Sequence, residues 1–209
     1  MNKIAIVGAG ELGKQVLEIV NTEGKYITVG FFDDSLSSNK AHGLTILGST
    51  DTILEQFSLN KFDGLIFAIG YKHLDKKQAF LEQFSSIPFY STIHPSAVIE
   101  PTAIIDKGVI VYANCYVGHR CKLKNGSIVN VGCNIPHDNI IKSCSFLSVG
   151  VQMGGGTTIG SCTFIGVGAT ISDGLQLTNN VTIGAGSVVI KDINESGTYI
   201  GVPAKRLNK

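Results

Sequence analysis

From His94 to Val189 the chain repeats in sixes. The sixth position of every hexad is apolar, beginning at Ile99 and running through Val117, Ile135 and Met153 to Val189. The fourth position is mostly small, as at Ala97, Cys115, Cys133, Ser145, Ala169 and Ser187. An α-helix buries residues three and four apart and a strand buries every second one, so neither sustains this rhythm. A parallel β-helix does, with one inward aliphatic on each short flat side and a small residue beside it that lets the coil close. If a coil takes three hexads, residues one coil apart stack on the same face.

Before His94 the pattern is different. Residues 3–7 (Lys-Ile-Ala-Ile-Val) read as a short buried strand, followed by Gly8-Ala9-Gly10-Glu11-Leu12-Gly13 and an amphipathic helix to about Val20. Further strands are expected over 27–32, 44–47 and 63–69, with helical turns over 52–57 and a helix over 72–84. Strands alternating with helices predict a small parallel α/β sheet. A last short strand over 88–92 leads into the hexads, where helix-formers give way to Gly, Ser, Thr and β-branched residues. The expected division is therefore an α/β domain over 1–93 and a β-helix over 94–209, closed by Gly201-Val202-Pro203-Ala204-Lys205.

Composition narrows the partners. The formal charge of +1 offers no polybasic surface for nucleic acid or an anionic membrane. No apolar run approaches the roughly 18 residues a membrane helix needs, and the start MNKIAIVGAGELG reads as strand and turn rather than signal peptide. The expected location is cytoplasmic. Of the five cysteines, Cys115, Cys121 and Cys133 fall on inward hexad positions, which suits reduced core residues better than a disulfide framework.

Two places carry candidate chemistry. Gly8, Gly10 and Gly13 satisfy G-x-G-x-x-G between a strand and a helix, and Asp33 follows at the spacing of the dinucleotide fingerprint. Such a turn brings backbone N–H groups to a phosphate at a helix N-terminus, while a carboxylate takes hydroxyls or a base edge. A dinucleotide cofactor, a nucleotide-linked substrate, and a tight turn with a solvated Asp33 all fit. The short stretch before the hexads leaves little room for a second mononucleotide half, which counts against NAD. In the tube, Ile141 closes the hexad Pro136–Ile141 and points inward, so His137 faces out. An outward imidazole beside the Asp138 carboxylate suits a general base, and a surface histidine with no task fits the same spacing. His119 stacks one coil before it. Zinc catalysis needs three protein ligands, and no histidine follows His137, so no metal is expected.

The motifs IAIVGAGELG, FFDDS at 31–35, FAIG at 67–70, the unbroken hexads, NVGCNIPHD at 130–138 and GVPAKRL at 201–207 together resemble the NeuD/PglD type of sugar acyltransferase. The resemblance covers nearly the whole chain. It implies a Rossmann-like α/β domain followed by a left-handed β-helix, although parallel crossovers are otherwise nearly always right-handed. It implies an N-acetyltransferase that moves an acetyl group from acetyl-CoA to the amine of a nucleotide-linked amino sugar, a 4-amino-dideoxy sugar among them, for surface polysaccharide or glycan biosynthesis. O-acetylation of a sialic-acid type of acceptor and a non-enzymatic nucleotide-binding trimer are the alternatives. By the resemblance His137 is the base and Asp138 the residue that raises its basicity. Gly8, Gly10, Glu11, Leu12, Asp33, Asp34 and Gly70 fall on the nucleotide-sugar site. Phe146, Gly155, Val167, Ala185, Pro203 and Lys205 fall on the acetyl-CoA site. A homotrimer with active sites between subunits is implied as well. Leu12 and Phe146 stand where family members often have histidine.

Overall fold

The structure, a computed structural model, describes residues 1–35 and 38–207. The N-terminal domain is built on a sheet of β1 (Asn2–Val7), β2 (Tyr26–Phe32), β3 (Lys40–Ala41), β4 (Leu44–Gly48) and β5 (Gly64–Phe67), in the order β3-β4-β2-β1-β5. β1 pairs in parallel with β2 and β5, β2 with β4 is also parallel, and only the short edge strand β3 runs antiparallel. The helices are α1 (Glu11–Glu23), α2 (Ile53–Ser58) and α3 (Leu74–Gln83). α1 buries Val16, Leu17, Ile19 and Val20 on one stripe and ends at Gly24, whose φ of 71° lets its N–H bond the Val20 carbonyl.

The hexads form three parallel sheets. Tyr116–Val117 pairs with Val98–Ile99 on one side and Asn134–Ile135 on the other, a step of three hexads, and the other two sheets keep the same step. Each coil is thus a triangle of three two-residue strands. The sixth positions fill its centre: Val117, Leu123, Val129, Ile135, Ile141 and Leu147 are fully buried. The small fourth positions turn inward beside them and bond to the next coil, as Ser145 Oγ to the Gly160 carbonyl at 2.6 Å and Thr157 Oγ1 to the Ser172 carbonyl at 3.0 Å. All five cysteines are free thiols.

The corners are regular too. From Gly108 to Gly186 the third position of every hexad has a left-handed backbone, with φ between 52° and 71°. Most of these residues are glycine or asparagine, which tolerate that region, but Arg120, Asp138, Cys144 and Cys162 adopt it as well.

Thr92–Ile93 already pairs in parallel with Ile110–Val111, so it is the first strand of the β-helix. The N-terminal domain covers the outer face of that sheet. Fifth positions point out of the tube, and on the other two sheets they are exposed, as at Val98, Ile104 and Tyr116. On this sheet Thr92, Ile110, Ile128 and Phe146 are buried instead. Tyr71 stacks on Phe164, with ring centroids 4.4 Å apart, and meets Phe146 edge-on. At the far end, Gly197–Ile200 adds to this sheet and Lys205–Arg206 folds back on it antiparallel. Among the described residues no helix is long and apolar enough to cross a membrane.

Candidate active site

His137 and Asp138 sit on one corner of the β-helix, at the second and third hexad positions. Asp138 takes the left-handed corner, φ 62°, which a short polar side chain accepts at modest cost. That turn brings its carboxylate back to the ring, and His137 Nδ1 lies 2.9 Å from Asp138 Oδ2. A carboxylate accepts only, so Nδ1 donates and Nε2 is left to accept. On the coil before, Arg120 lies directly under Asp138 and donates twice, Nε to Oδ1 at 2.7 Å and Nη2 to Oδ2 at 2.8 Å. The guanidinium first, and the imidazole second, hold the Asp138 carboxyl well below the usual carboxylate range.

On the coil after, Gly155 lies under the imidazole. A Cβ there would stand 2.5 Å from His137 Cε1 and 2.6 Å from Nε2, so only glycine leaves the ring its place. The N–H groups of Gly154 and Gly156 are tied to the carbonyls of Ile171 and His137. Among the described residues the Gly155 N–H has no backbone partner. His119, expected to stack beside His137, bonds Thr102 Oγ1 at 2.7 Å, and its carbonyl accepts from the Asp138 N–H. Among the described residues no group of three or more histidine, cysteine or acidic side chains is arranged to hold a metal ion.

The residues expected at the nucleotide-sugar site converge at the carboxyl ends of β1, β2 and β5, where open α/β sheets bind ligands. Gly8 turns there with φ 99°, and a Cβ would stand 2.7 Å from the Ala68 carbonyl oxygen. Asp33 Oδ2 accepts from the Ala9 N–H at 2.7 Å, and Oδ1 accepts from Ser35. Asp34 accepts from the Thr50 N–H and hydroxyl. Both carboxylates therefore also shape the loops around them. Gly8, Asp33 and Asp34 line a cavity of about 320 Å³ together with Ser35, His73 and Lys76. Gly10 precedes the first turn of α1, Glu11 opens that turn, and Leu12 lies against Gly70 at the start of the loop after β5.

The residues expected at the acetyl-CoA site do not come together in one copy. Gly155 is on the His137 corner, and Pro203 and Lys205 line a cavity of about 410 Å³ with Lys191 and Arg206 further along that corner. Val167 and Ala185 are exposed on a different corner of the triangle. Phe146 is only 5% exposed in this chain, packed against Tyr71 and Phe164 at the join of the two domains. Arg120, His73 and Lys76 were not among the expected site residues. Arg120 stands one coil before Asp138, a spacing that would have revealed it. His73 and Lys76, in α3 and its lead-in, carry no such signal.

A β-helix with an outward histidine–carboxylate pair, carrying an α/β domain with a glycine turn, is the build of a hexapeptide-repeat transferase. Residues 3–80 match the family described as PglD N-terminal domain. The chain is 32% identical to the acetyltransferase domain of PglB from Neisseria gonorrhoeae, with a TM-score of 0.90 over 99% of this chain and 100% of that one. It belongs to the NeuD/PglD-type family, and its β-helix is left-handed as in those structures. It is also 26% identical to GDP-perosamine N-acetyl transferase from Caulobacter crescentus, solved as a histidine-to-alanine mutant with CoA and GDP-perosamine. The TM-score there is 0.92 over 100% of this chain and 98% of that one. The UDP-N-acetylbacillosamine N-acetyltransferase of Bacillus subtilis is 26% identical over 113 residues, and the match spans 54% of this chain and about half, 52%, of that relative.

Proposed function

We propose that the protein is an acetyl-CoA-dependent N-acetyltransferase acting on the amine of a nucleotide-linked amino sugar, with His137 as general base. The observation that carries this reading is the His137 ring itself, anchored through Nδ1 to Asp138 and lying over Gly155. Nε2 takes a proton from the sugar amine as the nitrogen attacks the thioester carbonyl. The oxyanion that forms is stabilised by the Gly155 N–H. Collapse expels CoA as thiolate, and the imidazolium returns the proton to sulfur. Holding both substrates supplies a large part of the acceleration, about 7–11 kcal/mol at best.

The acceptor's nucleotide occupies the cavity at Gly8, Asp33 and Asp34, between the N-terminus of α1 and Gly70, with Lys76 and His73 near its phosphates. The phosphates of acetyl-CoA lie at the cavity formed by Pro203, Lys205, Lys191 and Arg206, and its acyl arm runs along the corner to His137. Val167 and Ala185 contribute from a neighbouring copy in a homotrimer, because in one copy they face away from His137. Support comes from the N-acetyltransferases above, one of which was solved with CoA and its sugar nucleotide.

The test is thiol release from acetyl-CoA with a panel of UDP-, dTDP- and GDP-linked 4-amino sugars. His137→Ala should lower kcat by on the order of 10²–10⁴-fold, and a variant near wild-type rate would remove His137 from the reaction. Turnover only with hydroxyl acceptors would make the enzyme an O-acetyltransferase. Tight nucleotide binding without any turnover would make it a binding module.

A further inference from the structure

We infer that Arg120 is a positioning residue for the catalytic pair: it fixes the Asp138 carboxylate so that His137 keeps Nδ1 protonated and Nε2 free. The inference rests on the proposed role of His137 and extends it one coil along the tube.

Three observations carry it. The contact is a two-point fork, with both guanidinium bonds at 2.7–2.8 Å and both carboxylate oxygens engaged. A planar fork sets the plane of a carboxylate as well as its position, which a single hydrogen bond does not. Secondly, Oδ2 is the shared atom, accepting from Arg120 Nη2 and His137 Nδ1 together, so the fork aims that oxygen at the ring. Asp138 is partly exposed, its side chain at 39%, and an exposed aspartate is otherwise free to turn into water. Thirdly, Arg120 keeps a left-handed backbone, φ 58°, at a corner position where glycine is the common residue. A long side chain there is disfavoured by about 1–2 kcal/mol, and residues held in such regions cluster at functional sites.

The titratable and charged groups around the ring are Asp138 and Arg120, His119 on the coil before, Asp173 beyond Gly154, and Lys122 in the groove beside Asp138. Of these, Arg120 makes the paired bonds to the carboxylate that holds the ring.

The experiment compares wild type with Arg120→Met and Arg120→Lys. Arg120→Met should lower kcat roughly tenfold and leave both KM values within about twofold. Arg120→Lys keeps the charge without the fork, so kcat should stay low. Unchanged kcat in Arg120→Met would overturn the inference. A raised KM at constant kcat would also overturn it, by making Arg120 a substrate-binding residue. The ring's tautomer gives a readout independent of activity, by long-range proton–nitrogen correlation with His137→Gln identifying the signal. Wild type should show protonated Nδ1 and Arg120→Met a mixture of tautomers; identical spectra would refute the role of Arg120 even if the protein acetylates nothing. A wild-type protein without turnover but with the tautomer shift would leave the fork standing and remove the proposed reaction.

Discussion

His137 has most of its side chain in solvent, at 64% exposure, so its orientation depends on a few contacts rather than on enclosure. Asp138 holds one nitrogen and Gly155 supplies the floor. The floor is the more exacting contact, because Gly155 lacks the left-handed backbone of its neighbour Gly156 and is glycine for space alone. Gly155→Ala should therefore fold normally and still displace the ring. The expected loss in kcat is on the order of 10²-fold, with an unchanged unfolding midpoint, measured by steady-state thiol release beside thermal unfolding. At this scale the sequence exposes the histidine and its acid, since both follow from the hexad register. Arg120 is within reach of the same register, one coil before Asp138, but the period does not say that its side chain turns onto the carboxylate.

The elements follow their sequence patterns closely where a period is strong and less so where a cap decides. α1 runs to Glu23 rather than Val20, because the left-handed Gly24 ends it and the apolar stripe alone does not mark that end. The join between domains was legible in principle. The column Ile110, Ile128, Phe146 and Phe164 is apolar without a break at outward positions, whereas the other two faces mix Val98, Ile104 and Ile140 with Lys122, Asn134 and Gln152. Phe146→Ala should cost about 3 kcal/mol, as a buried aromatic removed from a packed interface, read as a lower unfolding midpoint. On the loop side, Asp34 holds the Thr50 N–H and hydroxyl at the start of the turn into α2. Asp34→Ala should cost about 1 kcal/mol as a lost cap, by the same measurement.

Between the domains lies Lys77 of α3, fully buried, near Cys144 and Gly126, its amine without a hydrogen-bond partner among the described residues. Burial pulls its pKa down from 10.5 to about 8. The unfolded chain then binds more protons than the folded one between those values, so stability should rise with pH from about 8 to 10.5 and be lower by about 3 kcal/mol on the acid side. Lys77→Met should recover up to that amount at pH 7 and flatten the pH dependence, measured by denaturant unfolding at a fixed protein concentration. No sequence pattern marks this lysine, since its helix face meets the tube only through the tertiary fold. The repeating corners have a consequence of their own. Stacked strands advance about 4.8 Å per coil, and three coils separate His137 from Lys191, so the tube is a ruler of roughly 14 Å between His137 and the cavity at Lys191, Lys205 and Arg206. Its graduations are whole coils, because inserting one or two hexads would keep the inward positions but carry everything beyond to a different corner. Excising residues 156–173 would keep every corner type and shorten the ruler by one graduation. A thioester arm held at its phosphate end would then carry its carbonyl past the imidazole.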